Sequence, residues 1–302
     1  MTYDLFCSLA KDGGMTIWTD IMGVELAQRF VHVNGVRTRV LEAGQGEPLV
    51  LLHGTGGHAE AYARNIAAHA KHFHVYAIDM VGHGYSDAPE LEYTIDDFVK
   101  HLGDFLDTMA IERAMISGES LGAMVGAWFA IRNPARVNKL VMNTGLLMSR
   151  TAEGKKQLAD LLERSKRAAG GLTREAVRTR MEWLMNDPQK SLTDELVEVR
   201  YAIYSQPGRA PIMARIARSI AGGLQDDAWV ARWSEAHHMR GIRCPTLVLW
   251  SGHNPGLDAK RASLGAQQIP NHRVVILRDS GHWPQWEQSE EFNRLHIDFL
   301  SE

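Results

Sequence analysis

A glycine-flanked serine and a histidine near the carboxyl end are the residues of this sequence best suited to nucleophilic chemistry. Ser120 lies in a Gly-Glu-Ser-Leu-Gly motif, which follows the apolar run 114–117 and begins a helical pattern. A serine at such a tight strand-to-helix turn exposes its hydroxyl. A hydroxyl attacks well only when a base removes its proton, and His282, after the last apolar run, can be that base. The pattern predicts Ser120 as the nucleophile and His282 as the general base.

A nucleophile that attacks a carbonyl also needs N–H donors for the oxyanion that forms. The N–H of Leu121 lies at a predicted helix N-terminus, where backbone donors face outward. The loop 53–57 is rich in glycine and follows a buried apolar run, so the N–H of Thr55 or Gly56 is a second candidate donor. A phosphate cradle would need the lysine and the Ser/Thr of a P-loop, and this loop has neither.

The side chain that orients His282 is ambiguous in the sequence. Asn254 occupies the usual position of the acid, after the predicted strand 246–250. Its amide oxygen can accept a hydrogen bond from the imidazole, but it carries no charge, and in a serine protease the exchange of Asp for Asn lowers turnover by about 10⁴. Asp258 lies one turn further on and is slightly favoured as the acid, although a structural role for it is equally open. The alternative position, 143–145, has no carboxylate.

Short apolar runs alternate with helical patterns along most of the chain. Strands are predicted at 30–42 (a hairpin turning at Asn34-Gly35), 48–53, 74–79, 114–117, 139–143, 246–250 and 273–277. Such runs are typical of strands buried on both faces of a parallel sheet. Because helices are predicted between them, for example at 94–109 and 121–131, we expect an α/β fold with a mostly parallel central sheet and helices on both faces.

The alternation stops between residues 147 and 235, where the sequence is charged, helical and poor in strands. Helices are predicted there at 158–169, 173–185, 193–204 and 211–221. We interpret 147–235 as a helical cap inserted into a core domain formed by residues 1–146 and 236–302. An apolar set in the cap suits either an acyl pocket or the core, and comprises Met181, Trp183, Met185 and Tyr204.

Composition narrows the classes of partner. The 302 residues carry a net charge of −3, so there is no basic excess for nucleic acid. No run approaches the ~20 apolar residues of a membrane span, no signal peptide is evident, and only two cysteines are present, so we expect a cytoplasmic protein. The chemistry needs no metal or cofactor. The expected partner is a small-molecule substrate with a carbonyl or an ester, and a homo-oligomer is left open.

Several longer motifs resemble those of known proteins. Residues 49–53, the stretch Ile-Asp-Met-Val-Gly-His-Gly at 78–84 and the serine turn resemble the α/β hydrolases, over the whole chain except the first ~25 residues. The segments 281–287 and 291–294 further resemble the meta-cleavage product hydrolases. The resemblance implies an α/β-hydrolase fold with an inserted cap, and cleavage of a carbon–carbon bond in 2-hydroxy-6-oxo-hexa-2,4-dienoates from aromatic degradation.

The same resemblance implies residues that bind the substrate. Arg200 matches the family arginine that binds the dienoate, and a planar guanidinium suits a carboxylate or the 2-oxygen. Trp283 would lie against the polyene. Each has a plain alternative, because Arg200 fits a helix surface and Trp283 fits the core. The family has asparagines where this chain has Glu119, just before the nucleophile, and Ala61.

Other functions use part of the same machinery. A carboxylesterase or lactonase would employ the same Ser120 and His282, without a dienoate site. A ligand-binding α/β hydrolase that has lost catalysis is a third interpretation, and Asn254 is the residue that favours it. Haloalkane dehalogenases and soluble epoxide hydrolases are disfavoured, because their displacement chemistry uses a carboxylate nucleophile where this chain has serine.

Overall fold

A computed structural model describes residues 16–145 and 172–302, together with a few helical positions between 152 and 163. Its strands form one eight-stranded sheet in the order β1-β2-β4-β3-β5-β6-β7-β8. They are β1 (Leu26–Val33), β2 (Val36–Ala43), β3 (Pro48–Leu52), β4 (His74–Ile78), β5 (Ala114–Glu119), β6 (Val137–Asn143), β7 (Thr246–Ser251) and β8 (His272–Leu277). The predicted fold class is therefore confirmed.

The strand directions divide the sheet into two parts. β1 and β2 form an antiparallel hairpin, and β2 is also antiparallel to β4, whereas all the other pairs are parallel. Asn34 and Gly35 make the predicted hairpin turn, both with positive φ (46° and 85°), as a two-residue type I′ turn requires. The first strand begins at Leu26, four residues before the predicted start. The prediction missed these residues because they include polar side chains that face solvent on an edge strand.

Helices cover both faces of the sheet. In the core they are α1 (Ile17–Ile21), α2 (Ala63–His69), α3 (Ile95–Thr108), α4 (Leu121–Arg132), α10 (Ala259–Ala266), α11 (Pro284–Glu287) and α12 (Ser289–Ser301). Residues of β3 alternate between two apolar clusters: Leu52 packs with α3 and α4, and Leu51 packs with α2 and α12. Both are buried, which explains why the strand is a continuous apolar run rather than an alternating one.

The described residues between β6 and β7 are helical or irregular. They contain α5 (Arg174–Leu184), α6 (Pro188–Ser191), α7 (Asp194–Tyr204), α8 (Arg209–Ala217) and α9 (Asp227–Trp233). Side-chain caps begin four of these helices: Thr173 accepts a hydrogen bond from Ala176 N–H, Asp187 from Lys190 N–H, Thr193 from Leu196 N–H, and Asp226 from Ala228 N–H. The division into core and cap at 147 and 235 stays a prediction.

Of the predicted helices of this region, one has different bounds and another cannot be compared. The helix predicted at 211–221 begins earlier, at Arg209, because proline is tolerated in a first turn. It changes to a π-helical turn at Arg218–Gly222, which ends at the first of two consecutive glycines. The helix predicted at 158–169 falls almost entirely outside the described residues. No helix in the described part of the chain is long and apolar enough to cross a membrane.

Candidate active site

Ser120 lies on a strained turn between β5 and α4. Its backbone has φ 52° and ψ −110°, a conformation rare outside glycine that costs of order 1–3 kcal/mol. The flanking glycines make the turn possible, since a Cβ at Gly118 would overlap the backbone of Gly122, and a Cβ at Gly122 would overlap Leu52 O. The turn therefore places Ser120 at the carboxyl edge of the parallel strands, where sites of α/β sheets form.

The loop after β8 presents His282, and contacts from two directions position it. The N–H of His282 donates to Leu184 O at the end of α5, 2.6 Å away. Both oxygens of Glu287 accept backbone N–H groups: Gly281 N–H at 2.6 Å, and Asn186 N–H at 2.7 Å. One carboxylate thus joins the histidine loop to the segment after α5. Burial raises the pKa of Glu287 from its usual value.

Asn254, not Asp258, lies against the histidine. Asn254 Oδ1 is 2.6 Å from His282 Nδ1, and Asn254 Nδ2 donates to Leu257 O at 3.1 Å. Asp258 is exposed and caps α10, where its carboxylate accepts the N–H of Arg261 at 2.8 Å. The sequence-based preference for Asp258 as the partner of His282 is therefore wrong, because a carboxylate one residue before a helix is an N-cap. Its structural alternative is the one observed.

Glu119 occupies the other side of the imidazole. Its Oε1 is 3.1 Å from His282 Nε2, and the side chain is 1% exposed. A Cβ at residue 54 would collide with this carboxylate, so Gly54 is needed for close packing. The charge of Glu119 also acts on Tyr62, whose pKa is raised well above its usual value by burial and then by this carboxylate.

A cavity of about 730 Å³ opens above these residues. From the core it is lined by Ser120, His282, Asn254, Glu119 and the candidate oxyanion donors Thr55, Gly56 and Leu121. The cap side is mostly apolar and includes Met213, Ile220 and Leu224. The structure thus brings the predicted core residues together, with Asp258 outside. The roles of Leu121, Thr55 and Gly56 as oxyanion donors stay predictions.

Arg200 is buried in the same cavity rather than exposed on a helix surface. It is 3% exposed, and its guanidinium carbon lies 5.4 Å from the ring centres of both Tyr204 and Trp283. Arg200 Nη1 has no hydrogen-bond partner within the described ranges. A buried guanidinium with an unused donor is costly unless something occupies the cavity, so this arrangement suits an anionic ligand.

Arg180 is a second cation of this cavity, which the sequence interpretation missed. It projects from α5, and burial, followed by the charge of Arg200, lowers its pKa to about 10. Its guanidinium lies 4.8 Å from the ring of Trp183. Residue type alone offered no signal, because two other arginines, Arg174 and Arg178, precede it on the same helix.

The apolar set of the cap divides between pocket and core. Trp183 and Tyr204 line the cavity, whereas Met181 and Met185 belong to an apolar cluster beneath it. Trp283 also lines the cavity and is 2% exposed, and its contact with a polyene stays a prediction. Aromatic faces and two arginines together make a surface that suits a flat, conjugated, acidic molecule.

The chain belongs to the α/β hydrolase family. The family model described as alpha/beta hydrolase fold matches residues 47–289, most of the chain. A strained serine turn, a histidine on the loop after the last strand and a cavity over both are where that family has its site. The enzyme is accordingly a hydrolase.

Its relatives narrow the class further. The chain is 30% identical to 2-hydroxy-6-oxo-6-(2'-aminophenyl)hexa-2,4-dienoic acid hydrolase of Metapseudomonas resinovorans, with 91% of each chain covered. It is 31% identical to 2-hydroxymuconate semialdehyde hydrolase of Pseudomonas putida, covering 91% of this chain and 94% of the relative. A solved meta-cleavage product hydrolase from Pseudomonas fluorescens IP01 superposes with a TM-score of 0.77 at 25% identity, covering 93% and 99%. The resemblance to meta-cleavage product hydrolases is thereby confirmed.

Proposed function

We propose that this enzyme hydrolyses a carbon–carbon bond in a 2-hydroxy-6-oxo-hexa-2,4-dienoate, with Ser120 as the nucleophile and His282 as the general base. The names of the relatives support the substrate class. The observation that carries the proposal is Arg200, a buried guanidinium whose Nη1 lacks a partner in the described part of the chain. An ester or a lactone has no need of such a cation, whereas a dienoate carboxylate does. The cytoplasmic location stays a prediction.

The substrate would bind with its acidic end toward the cap. Arg200, with Arg180 nearby, would bind the carboxylate and the 2-oxygen, and Trp283 would lie against the conjugated chain. Burial, and then the charge of Arg200, lowers the pKa of Arg180, and an anion between the two guanidiniums would offset both effects. The same cations can stabilise negative charge that moves into the conjugated chain during reaction.

The chemistry would then proceed by an acyl-enzyme. Once the dienol has ketonised, His282 takes the Ser120 proton as Oγ bonds to C6. N–H groups of Leu121 and of the Thr55–Gly56 turn would stabilise the oxyanion, with each donor worth about 3–4 kcal/mol. The C5–C6 bond breaks, its electron pair goes to C5, and the proton from His282 follows it. Water then releases the acid from Ser120.

The test follows the decay of coloured 2-hydroxy-6-oxo-6-phenylhexa-2,4-dienoate beside the hydrolysis of 4-nitrophenyl acetate. Wild type should consume the dienoate, and Ser120→Ala should abolish both reactions. Arg200→Gln should raise KM for the dienoate about 100-fold, as loss of a charged hydrogen bond predicts, with a smaller loss for the ester. Arg174→Gln is the matched control, because that cap arginine is 60% exposed and pairs with Glu198.

Two results would contradict parts of this proposal. If the enzyme cleaves the ester but does not consume the dienoate, it is a carboxylesterase or lactonase that uses the same serine. Equal losses for both substrates in Arg200→Gln would show that Arg200 supports the fold of the cavity rather than binding the acid. Retention of activity in Ser120→Ala would contradict the serine mechanism itself.

A further inference from the structure

The orientation of the Asn254 amide fixes one proton of His282. Asn254 Nδ2 donates to Leu257 O at 3.1 Å, so Oδ1 is the atom that faces His282 Nδ1, at 2.6 Å. An amide oxygen only accepts hydrogen bonds, and Nδ1 must therefore carry a hydrogen. Asn254 thus sets the tautomer of the ring, as an aspartate would, but it supplies no negative charge.

The opposite nitrogen of the same ring faces a carboxylate. His282 Nε2 is 3.1 Å from Glu119 Oε1, and Glu119 is 1% exposed. Lone pairs of two acceptors would repel at this distance, so a proton lies between the two atoms. Because Nδ1–H is already committed, the pair is either an imidazolium beside a carboxylate or a neutral imidazole beside a carboxylic acid. In both cases the histidine and the glutamate share one proton.

We propose that Glu119 is the charged partner of His282 and supplies, from the nucleophile side of the ring, the negative charge that Asn254 lacks. Compared with the family pattern given above, the amide and the carboxylate have changed places across the imidazole. Glu119 is a positioning residue, since it acts through His282. The proposal rests on the serine chemistry proposed above, though not on the identity of the substrate.

The balance of the step is simple. Before attack the shared proton passes to solvent water in the cavity, which leaves neutral His282, with its Nε2 lone pair free, and the Glu119 carboxylate. The Ser120 O–H bond then breaks, its proton moves to Nε2, and the Oγ–carbon bond forms. The imidazolium that results lies between Asn254 Oδ1 and Glu119, where opposite charge stabilises it. The leaving group later takes this proton, and Glu119 remains a carboxylate throughout.

The residues around Glu119 leave space for its carboxylate beside the imidazole. Gly54 leaves room for its carboxylate, and Glu119 Oε2 has no hydrogen-bond partner among the described residues. The other charged or titratable groups around it are Arg180 and Arg200 of the cap and Tyr62 and His53 of the core. Within the described part of the chain, the Glu119 carboxylate forms an ion pair with His282.

The test is a double-mutant cycle between the two sides of the imidazole. Glu119→Gln should lower kcat/KM about 10³-fold, somewhat less than the roughly 10⁴-fold cost of Asp-to-Asn exchange in a serine protease. In the Asn254→Asp background, the same Glu119→Gln change should cost tenfold or less, because a carboxylate at Nδ1 replaces the lost charge. Glu119→Asn, which keeps the acceptor and is the residue of the family, provides a second variant and should respond alike.

Each measurement uses 4-nitrophenyl acetate and the phenyl dienoate in parallel, with the thermal midpoint recorded for every variant. Full activity in Glu119→Gln, or an equal loss in both backgrounds, overturns the proposal. Ser120→Ala in the same assays separates failure of the serine chemistry from failure of the role proposed for Glu119. If Ser120→Ala retains activity, the serine chemistry fails. If Ser120→Ala is inactive while Glu119→Gln is fully active, only the role of Glu119 fails. A rescue seen with the ester alone still supports Glu119 and contradicts only the dienoate assignment.

Discussion

The molecule brings a serine and a histidine together in two places. One is the cavity and the other is a buried hydrogen-bonded chain, and the two differ in what the histidine faces. In the buried one, Ser117 Oγ is 2.8 Å from His296 Nε2, and His296 Nδ1 is 2.8 Å from His69 Nε2. His69 Nδ1 is 2.7 Å from Asn65 O. At the cavity, Ser120 and His282 share the site with Asn254 and Glu119.

The donors and acceptors in the buried chain allow only one direction for its hydrogen bonds. A carbonyl oxygen only accepts, so His69 Nδ1–H donates to Asn65 O, His296 Nδ1–H donates to His69 Nε2, and the Ser117 hydroxyl donates to His296 Nε2. Every nitrogen is satisfied with both rings neutral. Burial accordingly lowers the pKa of His69 to about 4 and that of His296 well below its usual value.

The comparison teaches that residue types alone do not make a nucleophile. Ser117 is fully buried within β5 and its proton is committed to a ring that is itself fully committed. Ser120, three residues later, lies on a strained turn at a cavity, and its histidine faces a carboxylate. Access to substrate and an imidazole that can hold a second proton separate a catalytic pair from a structural one.

The largest effect is expected from a variant that removes His282, the proposed general base, and leaves the buried chain intact. His282→Gln should lower kcat about 10⁴-fold or more, because the variant removes the proposed acceptor of the Ser120 proton. Its thermal midpoint should change little, since the side chain lies at a cavity. Ser117→Ala, measured alongside, should keep kcat within about threefold of wild type. Comparable losses of kcat in the two variants would show that the buried chain takes part in catalysis.

A smaller effect, on stability, should come from the buried histidines as pH falls. The pKa values of His69 and His296 are lowered in the folded state, so the unfolded chain binds more protons below its own pKa of about 6.5. Their contribution is complete above that value and is lost as pH falls from 6.5 toward 4. Each should cost about 1.4 kcal/mol of unfolding free energy per pH unit.

Urea unfolding at pH 7.5 and 5.5 measures this loss. Three further buried histidines have lowered pKa values and add to it: His53, His83 and His101. His69→Gln should make the dependence shallower by about one proton, which assigns part of the slope to the chain. An unfolding free energy that is equal at the two pH values would contradict neutral, buried rings.

The sequence predicted the strands and helices and the positions of Ser120 and His282 at one site, because those signals are local. Apolar runs located the strands to within a few residues, and the glycine-flanked motif located Ser120 on its turn. The partner of His282 could not be obtained in this way. Asn254 and Asp258 lie on one loop four residues apart, and only the start of α10, which uses Asp258 as its cap, decides which side chain turns toward the imidazole.

The buried chain of Ser117, His296 and His69 could not be predicted from the sequence, for a different reason. Ser117 and His296 are 179 positions apart, and His296 lies on α12, where a histidine in an amphipathic pattern resembles many others. In sequence, His69 lies near His72 and His74, a spacing that completes no zinc-binding pattern and favours a solvated helix end. In the structure it bonds to His296, and no group of three metal-ligating side chains occurs within the described ranges. Long-range polar pairs leave no periodic trace in sequence.

The smallest expected effect concerns the hydroxyl that ends the buried chain. Ser117→Ala leaves His296 Nε2 as a buried acceptor without a donor, which should lower the free energy of unfolding by about 1–3 kcal/mol. Ser263→Ala is the matched control, because that half-buried hydroxyl only donates back to Ala259 O within α10, and its loss should cost under about 0.5 kcal/mol. Equal midpoints in urea for the two variants would mean that His296 finds another donor. A Ser117→Ala loss that disappears at pH 5.5 would mean instead that His296 takes up a proton there, so the buried ring would no longer differ from the catalytic one.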